Sequence, residues 1–230
     1  MGRKYFGWKI LWKNGNENKG AGTEKITIEG VPKLHSAEVK VIPDRIEAGT
    51  YIIMGALLGD NLEIDGMVPE HNILLLNKLQ EMGVSFEIKN HKIILNKIDR
   101  LLPTNVRTSE YPGFPTDLGQ PISVLLTQAE GTSLFEETIW ENRMGHVKYL
   151  NMMGANIAES GMRAKITGPT KLHGTEISAT DLRAGAALVT AGLIADGTTI
   201  INNADYILRG YERIINKLSK VGANIKIVEI

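Results

Sequence analysis

The chain has 230 residues, no cysteine, and 26 basic side chains against 26 acidic ones. Balanced charge sets up no bulk field toward nucleic acid or a membrane surface, and the lack of thiols excludes disulfides, thiolate zinc sites and a cysteine nucleophile within these residues. No apolar run approaches the ~20 residues of a membrane helix and no signal-peptide pattern is present, while the length allows a substantial core.

Residues 1–19 differ from the rest. Met1 to Ile10 is basic and aromatic, and Trp12 to Lys19 is polar without a period. Two readings stay open: a terminus without fixed structure, or one translated out of frame. If Trp12 to Asn18 were encoded TGG AAA AAT GGG AAT GAA AAT, a one-base shift would give Gly-Lys-Met-Gly-Met-Lys-Ile. That restores the kind of ending found three times further on, twice as Met-Gly and once as Val-Gly.

From Gly20 the pattern is regular, and one domain is expected over residues 20–230. Glu24 to Glu29 alternates as a strand does, and Ala37 to Ile42 reads as the next strand. Pro43-Asp44 starts a helix to about Leu58. A strand at Leu62 to Ile64 follows, then a helix opened by Pro69-Glu70 and ending at Met82. Val84 to Lys89 and His91 to Leu95 form a hairpin across Asn90. Tyr111 to Asp117 holds two prolines and a glycine, so it is a stiff loop suited to holding a ligand group. A helix runs from there to Ala129. A strand spans Leu134 to Thr138, a turn spans Ile139 to Arg143, and a helix covers 144–153. Strands at Ala164 to Ile166 and Glu176 to Ala179 precede Asp181, placed as the N-cap of a small-residue helix ending near Gly197. Thr198 to Ile201 resumes a strand, Tyr206 starts the last helix, which ends at Val221, and Ile225 to Val228 closes the chain as a strand.

The order repeats. Pro43-Asp44-Arg45, Pro115-Thr116-Asp117 and Thr180-Asp181-Leu182 open three copies of a strand–helix–strand–helix unit. Met82-Gly83-Val84, Met153-Gly154-Ala155 and Val221-Gly222-Ala223 end them. Lys33-Leu34-His35 and Lys171-Leu172-His173 mark equal places in the first and third. A period of roughly 70 residues exceeds that of common solenoids. A pseudo-threefold arrangement is expected. Arg183 sits in a first helical turn, where the positive helix end disfavours a cation, so it is expected to face an anion.

Five ordered motifs carry a family resemblance. They are Pro43 to Thr50, Tyr111 to Asp117, Glu137 to Arg143, Ala179 to Ala184, and Arg209-Gly210-Tyr211-Glu212. Together they resemble the UDP-N-acetylglucosamine 1-carboxyvinyltransferase family, the enolpyruvyl transferases of peptidoglycan synthesis, from about Gly20 to Ile230. The resemblance implies an inside-out α/β barrel domain of three βαβα-type repeats, helices inside and sheets outside. It implies two such domains, with helix N-termini facing a cleft between them, where they favour anions. This chain matches one; the other carries a catalytic loop and most nucleotide contacts. The implied partners are UDP-N-acetylglucosamine and phosphoenolpyruvate, with a missing N-terminal domain as a further one. No cofactor, metal, nucleic acid or membrane is implied, and the location is cytoplasmic.

The implied reaction adds the sugar 3′-hydroxyl to C2 of phosphoenolpyruvate and then eliminates phosphate. It needs a base, an acid and cations around phosphate and carboxylate. By resemblance Asp117 meets the 3′-hydroxyl as base; by residue type alone it could be a plain N-cap. Asp181 lies at the reacting centre and caps its helix in either reading. Ile139 contacts the nucleotide, or is a core strand end. Arg183 and Arg209 bind phosphoenolpyruvate, and Arg143 is structural or electrostatic. Two positions depart from the family pattern. Leu208 replaces an Asp before Arg209, and Leu118-Gly119-Gln120-Pro121 replaces a Met-Gln-x-Gln run. Half the constellation is expected not to turn over alone. The alternatives are a complementing half that docks a separately encoded domain, and a non-catalytic binding domain.

Overall fold

The structure is a computed structural model that describes residues 17–20, 23 and 25–228. It falls into two compact units, one through Asp44 and one from Arg45 onward. In the first unit, β1 (Glu17–Lys19) pairs antiparallel with β2 (Thr27–Glu29). Glu24 and residues 12–16 of the frame-shift reading lie outside the described residues. Residues 37–42, expected as a strand, adopt none; Val41 is 72 % exposed and no described strand forms a ladder with the segment. Alternation supplies a strand's faces but not its hydrogen-bonding neighbour.

In the second unit three helices are buried almost all round. They are α1 (Arg45–Leu58), α3 (Gly119–Leu126) and α5 (Leu182–Ile194), and each packs on the other two. Every residue of α3 is buried, as is Ala184 through Ala191 of α5. A helix apolar on all faces belongs in a core. Small residues let the backbones approach. A Cβ on Gly49 would stand 2.6 Å from a Leu118 methyl, and one on Gly119 would stand 2.6 Å from the Phe135 ring.

Outer elements follow each inner helix in a recurring order. After α1 come β3 (Leu62–Asp65), a 3-10 turn at Pro69–Asn72, α2 (Ile73–Glu81), and the hairpin β4 (Phe86–Lys89) and β5 (Lys92–Leu95), in sheet order β3-β5-β4. β6 (Val106–Arg107) precedes α3. After α3 come β7 (Gly131–Glu136), α4 (Gly145–Met152), β8 (Asn156–Ser160) and β9 (Arg163–Gly168), in order β6-β7-β9-β8. β10 (Glu176–Ser178) precedes α5, and β11 (Ile200–Asn202) follows it. Both β6–β7 and β10–β11 are parallel, so α3 and α5 each span a βαβ crossover.

The outer helices are amphipathic, burying Leu75, Leu76 and Leu79 on α2 and His146, Val147 and Leu150 on α4. The last outer helix departs from expectation. It breaks into α6 (Asp205–Leu208) and α7 (Ile214–Lys220), with Arg213 left-handed at φ 52°. Ile207, Tyr211 and Ile214 all face inward across the break, keeping the i, i+4, i+7 spacing of a single helical face. Other expected ends move inward. α3 stops at Leu126, with a turn through Ala129. α5 stops at Ile194, where Ala195 turns extended and Asp196 bridges His173. Residues 223–228 form no strand, and Ile227 and Val228 are exposed.

Candidate functional site

Asp117 lies in a 3-10 turn, Thr116–Leu118, that leads into α3. The loop before it folds back on itself. Ser109 N donates to the Phe114 carbonyl at 2.9 Å, and Phe114 is buried as its anchor. The Asp117 side chain makes no cap bond, so the plain N-cap reading does not hold. Instead its carboxylate sits between two guanidiniums. Arg143 Nη2 donates to Oδ1 at 3.2 Å, and Arg183 Nη2 donates to Oδ2 at 3.1 Å. The three side chains are 27 %, 24 % and 12 % exposed. Two cations and one anion leave a net positive junction.

Arg183 is delivered by the first turn of α5. Asp181 caps that helix as expected, its Oδ1 accepting from Arg183 N at 2.7 Å and Ala184 N at 3.0 Å. Asp181 Oδ2 is left to the Thr180 hydroxyl, at 3.4 Å. The expectation that Arg183 faces an anion holds, with Asp117 as that anion. Burial works to lower the Arg183 pKa, but the Tyr211 hydroxyl and Asp117 outweigh it, so the shift is upward.

Tyr211 is the residue that sequence reasoning named within a motif but gave no task. Fully buried, its hydroxyl receives Arg183 Nη1 at 3.3 Å and lies 2.9 Å from Thr50 Oγ1 on α1. Thr50 donates its own proton to the Ile46 carbonyl at 2.9 Å. The tyrosine proton therefore goes to Thr50, and its lone pair faces the guanidinium. The chain Thr50–Tyr211–Arg183–Asp117–Arg143 thus crosses from α1 to the entries of α5 and α3. The place of Tyr211 within the Arg-Gly-Tyr motif gave no sign of this link.

Arg209 stands apart. It is exposed at the end of α6, with its guanidinium 5.2 Å from the Tyr206 ring centre, and the structure does not join it to the junction. Its tie is through the chain, two residues from Tyr211. Ile139 is half-buried just beyond β7, and its N–H donates to Glu137 at 2.8 Å. Beneath the junction, His146 is fully buried at the start of α4. Burial drives its pKa down to about 4, opposed by the Arg143 backbone and the Asp181 charge. Among the described residues no three His, Asp or Glu side chains are grouped as a metal site.

The buried helix triad thus carries an arginine-clamped carboxylate where α3 and α5 begin. The chain belongs to the EPSP synthase (3-phosphoshikimate 1-carboxyvinyltransferase) family, whose profile matches residues 8–218. That match begins earlier than Gly20, inside the segment expected to be atypical. The chain is 49 % identical over 220 residues to "UDP-N-acetylglucosamine 1-carboxyvinyltransferase 2" of Streptococcus mutans, covering 96 % of this chain and 52 % of that protein. It is 46 % identical over 216 residues to the Listeria monocytogenes protein of the same name, covering 94 % and 51 %. It therefore spans about half the length of the curated relatives it matches. Among solved structures, the enolpyruvyl transferase NikO from Streptomyces tendae superposes with a TM-score of 0.85 at 30 % identity, covering 95 % of this chain and 53 % of that one. An Acinetobacter baumannii EPSP synthase, at 22 % identity and TM-score 0.57 over 80 % and 43 %, shares the fold.

Proposed function

We propose that these 230 residues form one domain of a UDP-N-acetylglucosamine enolpyruvyl transferase of the cytoplasmic stage of peptidoglycan synthesis. In this reading residues 20–230 are an inside-out α/β barrel of three repeats, and Asp117 is the base that meets the sugar 3′-hydroxyl. The observation that carries it is Asp117 held between Arg143 and Arg183 at the entry of α5, together with the names of relatives at up to 49 % identity. A carboxylate ringed by guanidiniums can take a hydroxyl proton while the same cations receive the phosphate and carboxylate of phosphoenolpyruvate. Arg183 is preorganised for this by Tyr211 and by the cap at Asp181. Asp181 Oδ2, which accepts from the Thr180 hydroxyl, faces the reacting centre in this assignment. Ile139 provides an apolar contact for the nucleotide, Arg143 steadies Asp117, and Arg209 closes on phosphoenolpyruvate from the rim.

The remainder of the reacting set lies on a second domain, so these residues alone do not turn over. The second reading is a complementing half that binds sugar nucleotide or a partner domain without chemistry of its own. Phosphate release from phosphoenolpyruvate and UDP-N-acetylglucosamine separates them. The expected result is none from the 230 residues alone, and release when they are fused behind the N-terminal domain of the Streptococcus mutans relative. Release by the 230 residues alone at an ordinary enzymatic rate contradicts the proposal. So does a folded fusion that binds both substrates and yields none.

A further inference from the structure

We propose that Glu137 is the positioning residue of this site, holding the Asp117 turn and the Ile139 turn in register through its two carboxylate oxygens; this rests on the sugar-nucleotide reading above. Glu137 follows β7 and is 2 % exposed. Its Oε1 accepts from Thr108 Oγ1 at 2.8 Å, Ile139 N at 2.8 Å and Trp140 N at 3.3 Å. Its Oε2 accepts from Thr116 Oγ1 at 2.7 Å. Thr108 is itself locked to Thr138, receiving its N–H at 2.8 Å on the hydroxyl and its Oγ1 proton at 2.6 Å on the carbonyl.

A buried carboxylate is costly unless several donors face it, and a core of this kind could be filled by an apolar side chain. The four donors to Glu137 all come from connecting segments. Thr108 follows β6, Thr116 opens the turn that bears Asp117, and Ile139 and Trp140 form the turn after β7. The charge therefore organises the two turns that carry proposed substrate contacts. One turn presents the carboxylate for the sugar hydroxyl, and the other presents Ile139 for the nucleotide. Glu137 fixes the spacing between them without touching substrate.

Oxygen accounting gives a sharp test. Oε1 has three donors, and Oε2 has one hydroxyl. In Glu137→Gln the amide oxygen can take the place of Oε1, while the amide nitrogen donates to Thr116, whose hydroxyl rotates to accept. Glu137→Met has similar length and no acceptor. The purified 230-residue chain and both variants are compared by amide hydrogen exchange and by titration with UDP-N-acetylglucosamine. In Glu137→Met, exchange at Ile139 and Trp140 rises about tenfold or more while core amides of α3 and α5 stay unchanged, and affinity falls about tenfold. Glu137→Gln stays within about threefold of the parent on both measures. Unchanged exchange in Glu137→Met overturns the proposal. So does a glutamine variant as loose as the methionine one, or loosened turns with unaltered affinity. If the parent chain takes no sugar nucleotide, the functional reading fails, while the exchange arm still decides whether Glu137 holds the two turns. If Glu137→Met does not fold, Thr116→Val removes a single donor and is expected to raise exchange in 116–118 alone; no rise there overturns the proposal.

Discussion

At the junction, each side chain has its partner chosen by position rather than by type. Asp117 binds two arginines from separate segments, so its loss leaves two cations facing each other. Asp117→Ala is expected to lower stability by about 1–3 kcal/mol, less than a fully buried pair because the group is about a quarter exposed. Urea unfolding measures this, and an unchanged midpoint would argue against the clamp. Tyr211 and Thr50 form a buried polar contact across 161 positions of sequence. A double-mutant cycle of Tyr211→Phe and Thr50→Val should give a coupling of about 1 kcal/mol, against none if the two hydroxyls are independent. His146 gives the pH dependence. Its folded pKa of about 4 lies below the ordinary 6.5, chiefly through burial. Between those values the unfolded chain holds the extra proton, so stability is full above about pH 6.5 and is lost as pH falls toward 4. The loss amounts to about 3 kcal/mol, and His146→Phe should flatten this part of the profile. The Arg183–anion contact was legible because a cation in a first helical turn needs a reason. The tyrosine link was not, since nothing local in Arg-Gly-Tyr points to a threonine in another repeat.

Helix ends are where the repeat was most readable. Gly83, Gly154 and Gly222 all lie at positive φ, 84°, 100° and 95°. In each case the glycine N–H returns to the carbonyl three residues back and the next N–H to the carbonyl five back, as with Gly154 to Asn151 and Ala155 to Leu150. Three Met-Gly or Val-Gly endings thus mark three identical helix stops. Gly154→Ala should cost about 1–2 kcal/mol from the left-handed backbone, and more because the new Cβ would meet His173 Nδ1 at 2.9 Å. Thermal unfolding reads that loss, and a melting point within a degree of the parent would refute it. Strands were less legible than helices. Asn156–Ser160, unforeseen, occupies the place in its repeat that Phe86–Lys89 holds in the previous one. Residues 37–42 and 225–228 alternate convincingly, yet form no ladder among the described residues. A strand depends on a distant neighbour, whereas a cap or a C-terminal glycine acts within one turn.

At the scale of the second unit, the entries of α3 and α5 meet at the Asp117–Arg183 pair, and a βαβ crossover sets the direction of each of these two helices. The family was readable because three of its five motifs, Pro43 to Thr50, Tyr111 to Asp117 and Ala179 to Ala184, fall at helix entries. Arg209 was not placed by the same logic, since its position depends on a helix break at 209–213 that the helical pattern concealed. With about half the length of its relatives, the chain carries one side of the proposed cleft. Binding, rather than turnover, is what it should retain. The most direct measurement is the map of backbone amide shifts when the 230-residue chain is titrated with UDP-N-acetylglucosamine. The proposal predicts saturable shifts centred on residues 116–118, 139–143 and 181–184, abolished in Asp117→Ala. Saturable shifts confined to other surfaces, or no shifts at any concentration, would contradict it.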